Sequence, residues 1–271
     1  MPDVPLRLAV AGPAGRLGGA IVKAASARGF ELVGGLVRPG SGAVGMDLAT
    51  FSSGERDVHV AATDDLETAV GNADVLIDVS TATAAAEHAE KLAARGGPAM
   101  IIGATGFEPE EDEAIENAAK SIPIVKARNF SIGVSLLAAL VEQTAKALDQ
   151  DWDIEIVEMH HRAKRDAPSG TALMLGEAAA AGRGVELDER AVKAREGMTG
   201  ARSTGAIGFA TLRGGGVVGD HEVRFAASEE MLTLSHRALD RTIFARGALT
   251  AARWIKGRAP GLYDMRDVVG L

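Results

Sequence analysis

Over the first 130 positions, apolar residues fall in short unbroken runs, each followed by a segment rich in Ala, Glu or Lys. The runs at 6–12 (LRLAVAG), 30–37 (FELVGGLV), 57–62 (DVHVAA), 73–80 (ADVLIDVS), 98–105 (PAMIIGAT) and 122–127 (IPIVKA) predict strands. Segments 16–27, 64–70, 84–95 and 109–120 predict the helices between them. Strands that are apolar on both faces and separated by helices indicate a parallel sheet covered on both sides. After residue 130 the pattern changes. Segment 132–148 predicts a long Ala/Leu-rich helix, 153–161 alternates as a half-buried strand does, and 171–181 predicts another helix. Residues 182–204 show no period and read as a long loop. Segments 206–213, 217–226 and 230–238 predict three consecutive antiparallel strands, with turns at Gly214-Gly215-Gly216 and Ala227-Ser228. A last helix is expected over 241–256.

The first strand runs directly into Gly12-Pro13-Ala14-Gly15-Arg16-Leu17-Gly18. Glycines at this spacing let a strand turn sharply into a helix, let the backbone approach a pyrophosphate, and leave the helix N-terminus free to bind it. At the first strand–helix junction of an alternating domain, this is the context a dinucleotide fingerprint requires. The fold class is therefore α/β: a Rossmann-type dinucleotide-binding domain over 1–130, then a second α+β domain over 131–239 built on a mostly antiparallel sheet. The segment 240–271 is expected to return to the first domain. The second strand ends in Val37-Arg38, without the carboxylate that would hold a ribose 2′-hydroxyl. Arg38 is placed to pair with a 2′-phosphate, which favours NADPH and leaves NADH as the lesser cofactor. The competing reading makes Arg38 a solvated loop residue and gives the ribose to Asp47 or another acid. Two further strand ends, Gly103-Ala104-Thr105 and Ala127-Arg128-Asn129-Phe130, are candidate walls for the nicotinamide.

Composition narrows the classes. A formal net charge of -8, no long basic run and only 4% aromatic residues argue against a nucleic-acid partner. There is no cysteine, which excludes disulfides and thiolate chemistry and fits a reducing, cytoplasmic setting. The N-terminus does not read as a signal peptide, and no apolar run approaches the roughly 18 residues that span a bilayer.

In so acidic a chain, the segment 158–171 (EMHHRAKRDAPSGT) stands out. His160, His161, Arg162, Lys164 and Arg165 concentrate positive charge before Pro168-Ser169-Gly170-Thr171 opens a helix. Hydroxyls and free N–H groups at a helix N-terminus make a nest for a carboxylate, and Lys164 adds a full charge. Neighbouring cations push a histidine pKa down, which suits proton transfer. Adjacent histidines also suit a metal, but neighbours on a strand face opposite ways and the cations repel it, so no metal is expected. A solvated basic face and a plain helix cap remain the bland readings. His59 and His88 fall away from the expected strand ends, and His221 and His236 lie within strands; all four read as structural.

The pattern E-x-H-H-x-x-K-x-D-A-P-S-G-T over 158–171 closely resembles the signature of the 4-hydroxy-tetrahydrodipicolinate reductase family. Gly12 to Gly18, Gly103 to Phe107, Asn129-Phe130-Ser131, Arg195-Glu196-Gly197, Thr199 to Arg202, Ile207 to Ala210 and Gly219-Asp220-His221 resemble its other motifs, from residue 6 to Asp267. The resemblance implies His160 as acid/base and Lys164 as a second proton donor. It implies His161, Ser169, Gly170 and Thr171 as substrate-carboxylate contacts, and residues 12–17, 103–105 and 127–130 as cofactor contacts. It also implies reduction of a cyclic imine dicarboxylate in lysine and diaminopimelate biosynthesis, and a homotetramer built on the second domain's sheet. This chain departs from the pattern at Val37, where some members carry an acid, at Ala104, at Arg128, and at Ser80-Thr81-Ala82-Thr83, which lacks a proline. Rival classes are another Rossmann-type amino-acid or semialdehyde dehydrogenase, or a non-catalytic NADPH-sensing regulator.

Overall fold

The computed structural model describes residues 5–52 and 58–271. The chain divides into two compact units. The first runs to Ser131 and resumes over Thr242–Gly270, and the second is Ile132–Arg241.

The first unit holds strands β1 (Leu6–Ala11), β2 (Phe30–Leu36), β3 (Ala62–Thr63), β4 (Val75–Asp78), β5 (Ala99–Ile102), β6 (Pro123–Lys126) and β12 (Gly261–Tyr263). Its helices are α1 (Arg16–Ala27), α2 (Leu66–Val70), α3 (Ala82–Arg95), α4 (Pro109–Ala118), α8 (Thr242–Ile255) and α9 (Met265–Val269). The strand order is β12-β6-β5-β4-β1-β2-β3, and the paired strands run parallel. Consecutive strands reverse direction of travel across the sheet between β1 and β4, the switch point at which open sheets of this kind bind nucleotides. Leu66, Val70, Leu92 and Ile115 from α2, α3 and α4 cover one set of strand residues, among them Leu76, Met100 and Ile102. Helices α1 and α8 pack on each other and stand outside that cluster. Helix α1 buries Gly18, Ile21, Val22 and Ala25, the i, i+3, i+4, i+7 face of an amphipathic helix.

The expected third strand is almost absent. Its first position, Asp57, lies outside the described residues, and the ladder holds only Ala62–Thr63 with an isolated bridge from Ala61 to Asp47. His59 sits at φ 59, which breaks an extended run, and the backbone of Val60 and Ala62 bonds to residues 45–48 instead. The structure adds a strand the pattern did not predict: β12 pairs with β6 at the sheet edge.

The second unit holds β7 (Asp153–His160), β8 (Ala191–Val192), β9 (Ile207–Arg213), β10 (Gly219–Ala226) and β11 (Met231–Ala238), with α5 (Ile132–Ala147), α6 (Gly170–Arg183) and α7 (Leu187–Arg190). The order is β11-β10-β7-β9-β8. Strand β10 pairs antiparallel with β11 and β7, whereas β9 pairs parallel with β7 and β8, so the sheet is mixed. The reading of three consecutive antiparallel strands therefore holds for β10 and β11 but not for β9. Gly214–Gly216 do not form a hairpin turn, because β7 lies between β9 and β10. The expected loop 182–204 contains the end of α6, then α7 and β8. One face of this sheet carries Ile154, Ile156, Phe209, Val223 and Phe225 against Leu137, Val141 and Leu175 of α5 and α6.

Candidate active site

In the first unit, the turn from β1 into α1 is built for close backbone approach. Gly12 has φ +79, and a Cβ on Gly18 would fall 2.1 Å from the Gly12 carbonyl oxygen. Gly15 is the N-cap of α1, without a side-chain hydrogen bond, and the first turn carries no acid. A cavity of about 750 Å³ opens here, lined by Gly12, Ala14, Arg38, Ser41, Ser80 and His88 among others. An uncapped helix N-terminus beside a cavity of this size fits the pyrophosphate of a dinucleotide. Pro13 is buried, whereas Ala14, Gly15 and Arg16 are exposed and Leu17 is half-buried. Val37 is buried and Arg38 exposed at the cavity rim. The Asp47 carboxylate caps the turn at Ala49 (2.8 Å) and accepts from Val58 N–H (3.0 Å). Asp64 does line the cavity and accepts from Gly40 N–H at 3.3 Å.

The strand ends named as nicotinamide walls come together. Gly103 N–H donates to Asp78 C=O and Ala127 N–H to Ile102 C=O, at 2.8 and 3.0 Å. A Cβ on Gly103 would stand 2.5 Å from the Phe130 ring. Phe130 and Ala104 are buried, Thr105 and Arg128 exposed, and Asn129 accepts from Ser131 N–H at 2.8 Å. Thr81 caps α3 by accepting from Ala84 N–H, so the helix begins at Ala82 without a proline. His88, read from sequence as structural, meets the fully buried Asp78 at 2.6 Å and lines the cavity. Asp78 also accepts from Ser80 N–H and hydroxyl.

In the second unit, the period of two along β7 puts Ile154, Ile156, Glu158 and His160 on one buried face. The Glu158 side chain, 1% exposed, meets Nδ1 of His160 at 2.6 Å and receives both Nη atoms of Arg213, at 2.7 and 2.9 Å. It also accepts from Ser169 N–H at 3.1 Å. Burial alone would raise the Glu158 pKa, but Arg213, His160 and Ser169 outweigh it and hold it below the usual carboxylate range. Burial lowers the pKa of His160; Glu158 opposes that, and Lys164 and Arg213 add to it. His221 approaches His160 edge-on, ring centres 5.1 Å apart, and lies 3.2 Å from the Ser169 hydroxyl. Burial takes His221 down to about 4, so it is neutral at pH 7.

Ser169 is the N-cap of α6, accepting from Ala172 N–H at 3.1 Å. Its hydroxyl proton is left for His221 or a bound carboxylate. Gly170 has open space where a Cβ would point, and the first turn holds no acid. Lys164 pairs with Asp166 at 2.8 Å, and its N–H donates to His161 C=O. His160, Lys164, Ser169, Gly170 and Thr171 thus share one strand end, loop and helix start. His161, half-buried, leaves the strand just after His160. Among the described residues, no three His, Cys, Asp or Glu side chains converge as a metal site. Sequence reasoning gave no role to Glu158, Arg213, His221, Asp78 or His88. The one readable signal was a glutamate two residues before His160 on an otherwise apolar strand face.

A switch-point sheet carrying a dinucleotide cradle, together with a buried histidine beside an anion-receptive helix start, defines a nicotinamide-dependent oxidoreductase. The chain belongs to the dihydrodipicolinate reductase family. Residues 6–130 match the family model described as "Dihydrodipicolinate reductase, N-terminus", and 133–269 the one described as its C-terminus. A 4-hydroxy-tetrahydrodipicolinate reductase of Parvibaculum lavamentivorans is 54% identical over 98% of both chains, and one of Caulobacter vibrioides 48% over 98% of both. The dipicolinate-bound dihydrodipicolinate reductase of Paenisporosarcina sp. TG-14 superposes with a TM-score of 0.75 at 25% identity, covering 96% of this chain and 97% of that one. An amine dehydrogenase from Mycobacterium smegmatis shares the fold at a TM-score of 0.59 and 14% identity, covering 96% and 94%.

Proposed function

We propose that this protein reduces 4-hydroxy-tetrahydrodipicolinate to tetrahydrodipicolinate, consuming one NAD(P)H and one proton and releasing water and NAD(P)⁺, within lysine and diaminopimelate biosynthesis. The observation that carries this reading is the acid/base pair of Glu158 and His160 set beside the start of α6. When bound, the nicotinamide supplies a hydride. His160 supplies the matching proton from Nε2, because Nδ1 is turned to Glu158. Gly170 and Thr171 N–H groups, the Ser169 hydroxyl, His161 and Lys164 receive the two carboxylates, with Lys164 exchanging Asp166 for substrate and serving as second proton donor. Dianion binding next to His160 raises its pKa, so the substrate itself recharges the acid.

Gly12 to Leu17, Gly103 to Thr105 and Ala127 to Phe130 would hold the dinucleotide. NADPH is the preferred form: Arg38 stands exposed at the cavity rim, and Val37 offers no carboxylate to repel a 2′-phosphate. No helix of the described residues is long and apolar enough to cross a membrane, which agrees with a cytoplasmic enzyme. The outer face of the second sheet leaves Met231 and Leu212 more than half or half exposed, at 57% and 50%, which favours assembly into a homotetramer through that face.

A coupled assay tests the reading. Dihydrodipicolinate synthase makes the unstable substrate in place, and oxidation of NADPH and of NADH is followed for wild type and for Lys164→Ala. Rapid oxidation that Lys164→Ala reduces by about a hundredfold or more is expected. Cofactor binding without turnover would instead indicate a sensor, and turnover of a different amino acid or semialdehyde another dehydrogenase.

A further inference from the structure

One buried ion pair touches every part of the second unit's site. Oε2 of Glu158 receives Nδ1 of His160 at 2.6 Å and Nη1 of Arg213 at 2.7 Å. Oε1 accepts from Ser169 N–H at 3.1 Å and Nη2 of Arg213 at 2.9 Å. Four donors saturate a carboxylate that water does not reach. The Arg213 fork extends further: Nη2 donates to Asp166 C=O and Nη1 to Leu212 C=O, both at 2.6 Å. The ion pair that meets His160 therefore also pins the loop carrying Lys164 and the N-cap of α6. The parallel register of β7 and β9 sets His160 beside Arg213.

We propose that Glu158, clamped by Arg213, is a positioning residue for proton transfer. It retains the Nδ1 proton of His160, leaves Nε2 as the nitrogen that exchanges with substrate, and supplies the counter-charge to the imidazolium. This rests on His160 being the proton donor. A neutral imidazole has one N–H, and an ionised carboxylate can only accept, so its place beside Nδ1 selects the tautomer. Arg213 keeps Glu158 ionised despite its burial. The charged and titratable groups around His160 divide unequally. Lys164 and Arg213 disfavour its cationic form, Asp166 is engaged with Lys164, and His221 is neutral with His236 beyond it in register. Among these, Glu158 is the group in contact with the ring that favours imidazolium. No proton passes to Glu158, and after transfer His160 is the neutral Nδ1–H form.

Glu158→Gln alone strands a buried Arg213, which threatens folding, so it is measured beside Glu158→Gln/Arg213→Gln, in which both charges are gone. Both variants are assayed for kcat and KM across pH, and imidazole ¹⁵N spectra are recorded for the ligand-free protein. In the folded double variant, kcat should fall about tenfold or more, while KM, which also feels the loosened Lys164 loop, should change by a smaller factor than kcat. The high-pH limb of kcat should move about half a pH unit or more toward acid. His160 should gain the Nε2–H tautomer. A wild-type limb and tautomer in that variant, or a loss confined to KM, would overturn the proposal. An Nε2–H tautomer in the wild type would overturn it without any variant. His160→Gln separates this inference from the reading beneath it. Full kcat there removes His160 as donor. A dead His160→Gln beside a wild-type-like double variant removes only the positioning role.

Discussion

Gly219 shows how closely the His160 ring is enclosed. A Cβ at this position would stand 3.0 Å from Nε2 of His160 and 3.4 Å from the His221 ring. The added methyl would press on the nitrogen proposed to reach substrate, although it touches no backbone. Gly219→Ala should therefore lower kcat by about ten- to a hundredfold through misplacement of the reacting nitrogen. Cofactor affinity should stay unchanged, because the dinucleotide cradle lies in the other unit; fluorescence titration with NADPH checks this alongside steady-state kinetics. The same residue marks a limit of sequence reading. His160 and Lys164 announce themselves within a dense cluster, but Gly219, His221 and Arg213 lie about 50 positions or more further on, and β-sheet register brings them beside His160. A histidine inside a strand looks structural until its neighbours across the ladder are known.

At the scale of single elements, α6 carries three of the proposed substrate contacts at its start. Ser169 caps it, with its hydroxyl on Ala172 N–H and its own N–H on Glu158. Ser169→Ala removes the cap and one hydroxyl of the proposed carboxylate receptor. It should cost about 0.5–2 kcal/mol of stability and raise KM for the dicarboxylate more than it lowers kcat; thermal unfolding and kinetics on the same preparation separate the two. Strongly periodic elements were legible in advance: α1 from its Ile21, Val22, Ala25 stripe, and β4 and β5 from runs apolar on both faces. Elements held in place mainly by neighbours were not. Three residues, Gly261–Tyr263, form a strand because β6 offers an open edge. The direction of β9 is set by its passage to the far side of β7, which no local pattern encodes.

At the scale of the whole molecule, the buried histidines link stability to pH. His160, His221 and His236 all have pKa values lowered chiefly by burial, His221 to about 4. The unfolded chain takes up these protons first, near pH 6.5, so folded stability declines as pH falls from there toward 4 and levels off once the folded state also binds them. His221 alone accounts for about 3 kcal/mol across that window. Glu158, depressed in the folded state, adds a loss at still lower pH. Calorimetric Tm values should drop between pH 6.5 and 4, and His221→Gln should flatten the drop; a Tm independent of pH in this range would contradict the assignment. The protein's acid limit would then be set by these buried histidines of the second unit.

The first unit is interrupted in sequence but continuous in space. Residues 132–241 leave it after Ser131 and return at Thr242, and Gly247 packs so closely on the Phe130 carbonyl that a Cβ there would stand 1.7 Å from the oxygen. This has a consequence for the order of events on the ribosome. As the chain emerges, the first unit's sheet appears first, but it lacks α8 against β4, β5 and β6, and β12 at its edge, until residues 242–263 are made. Meanwhile the inserted unit can fold on its own core. Once folded, it replaces a floppy loop of more than a hundred residues with a short rigid span, which cuts the entropy lost when the ends meet. The inserted unit is thus placed to act as a folding aid for the first, and the unit carrying His160 matures before the one carrying the Gly12–Gly18 turn is closed.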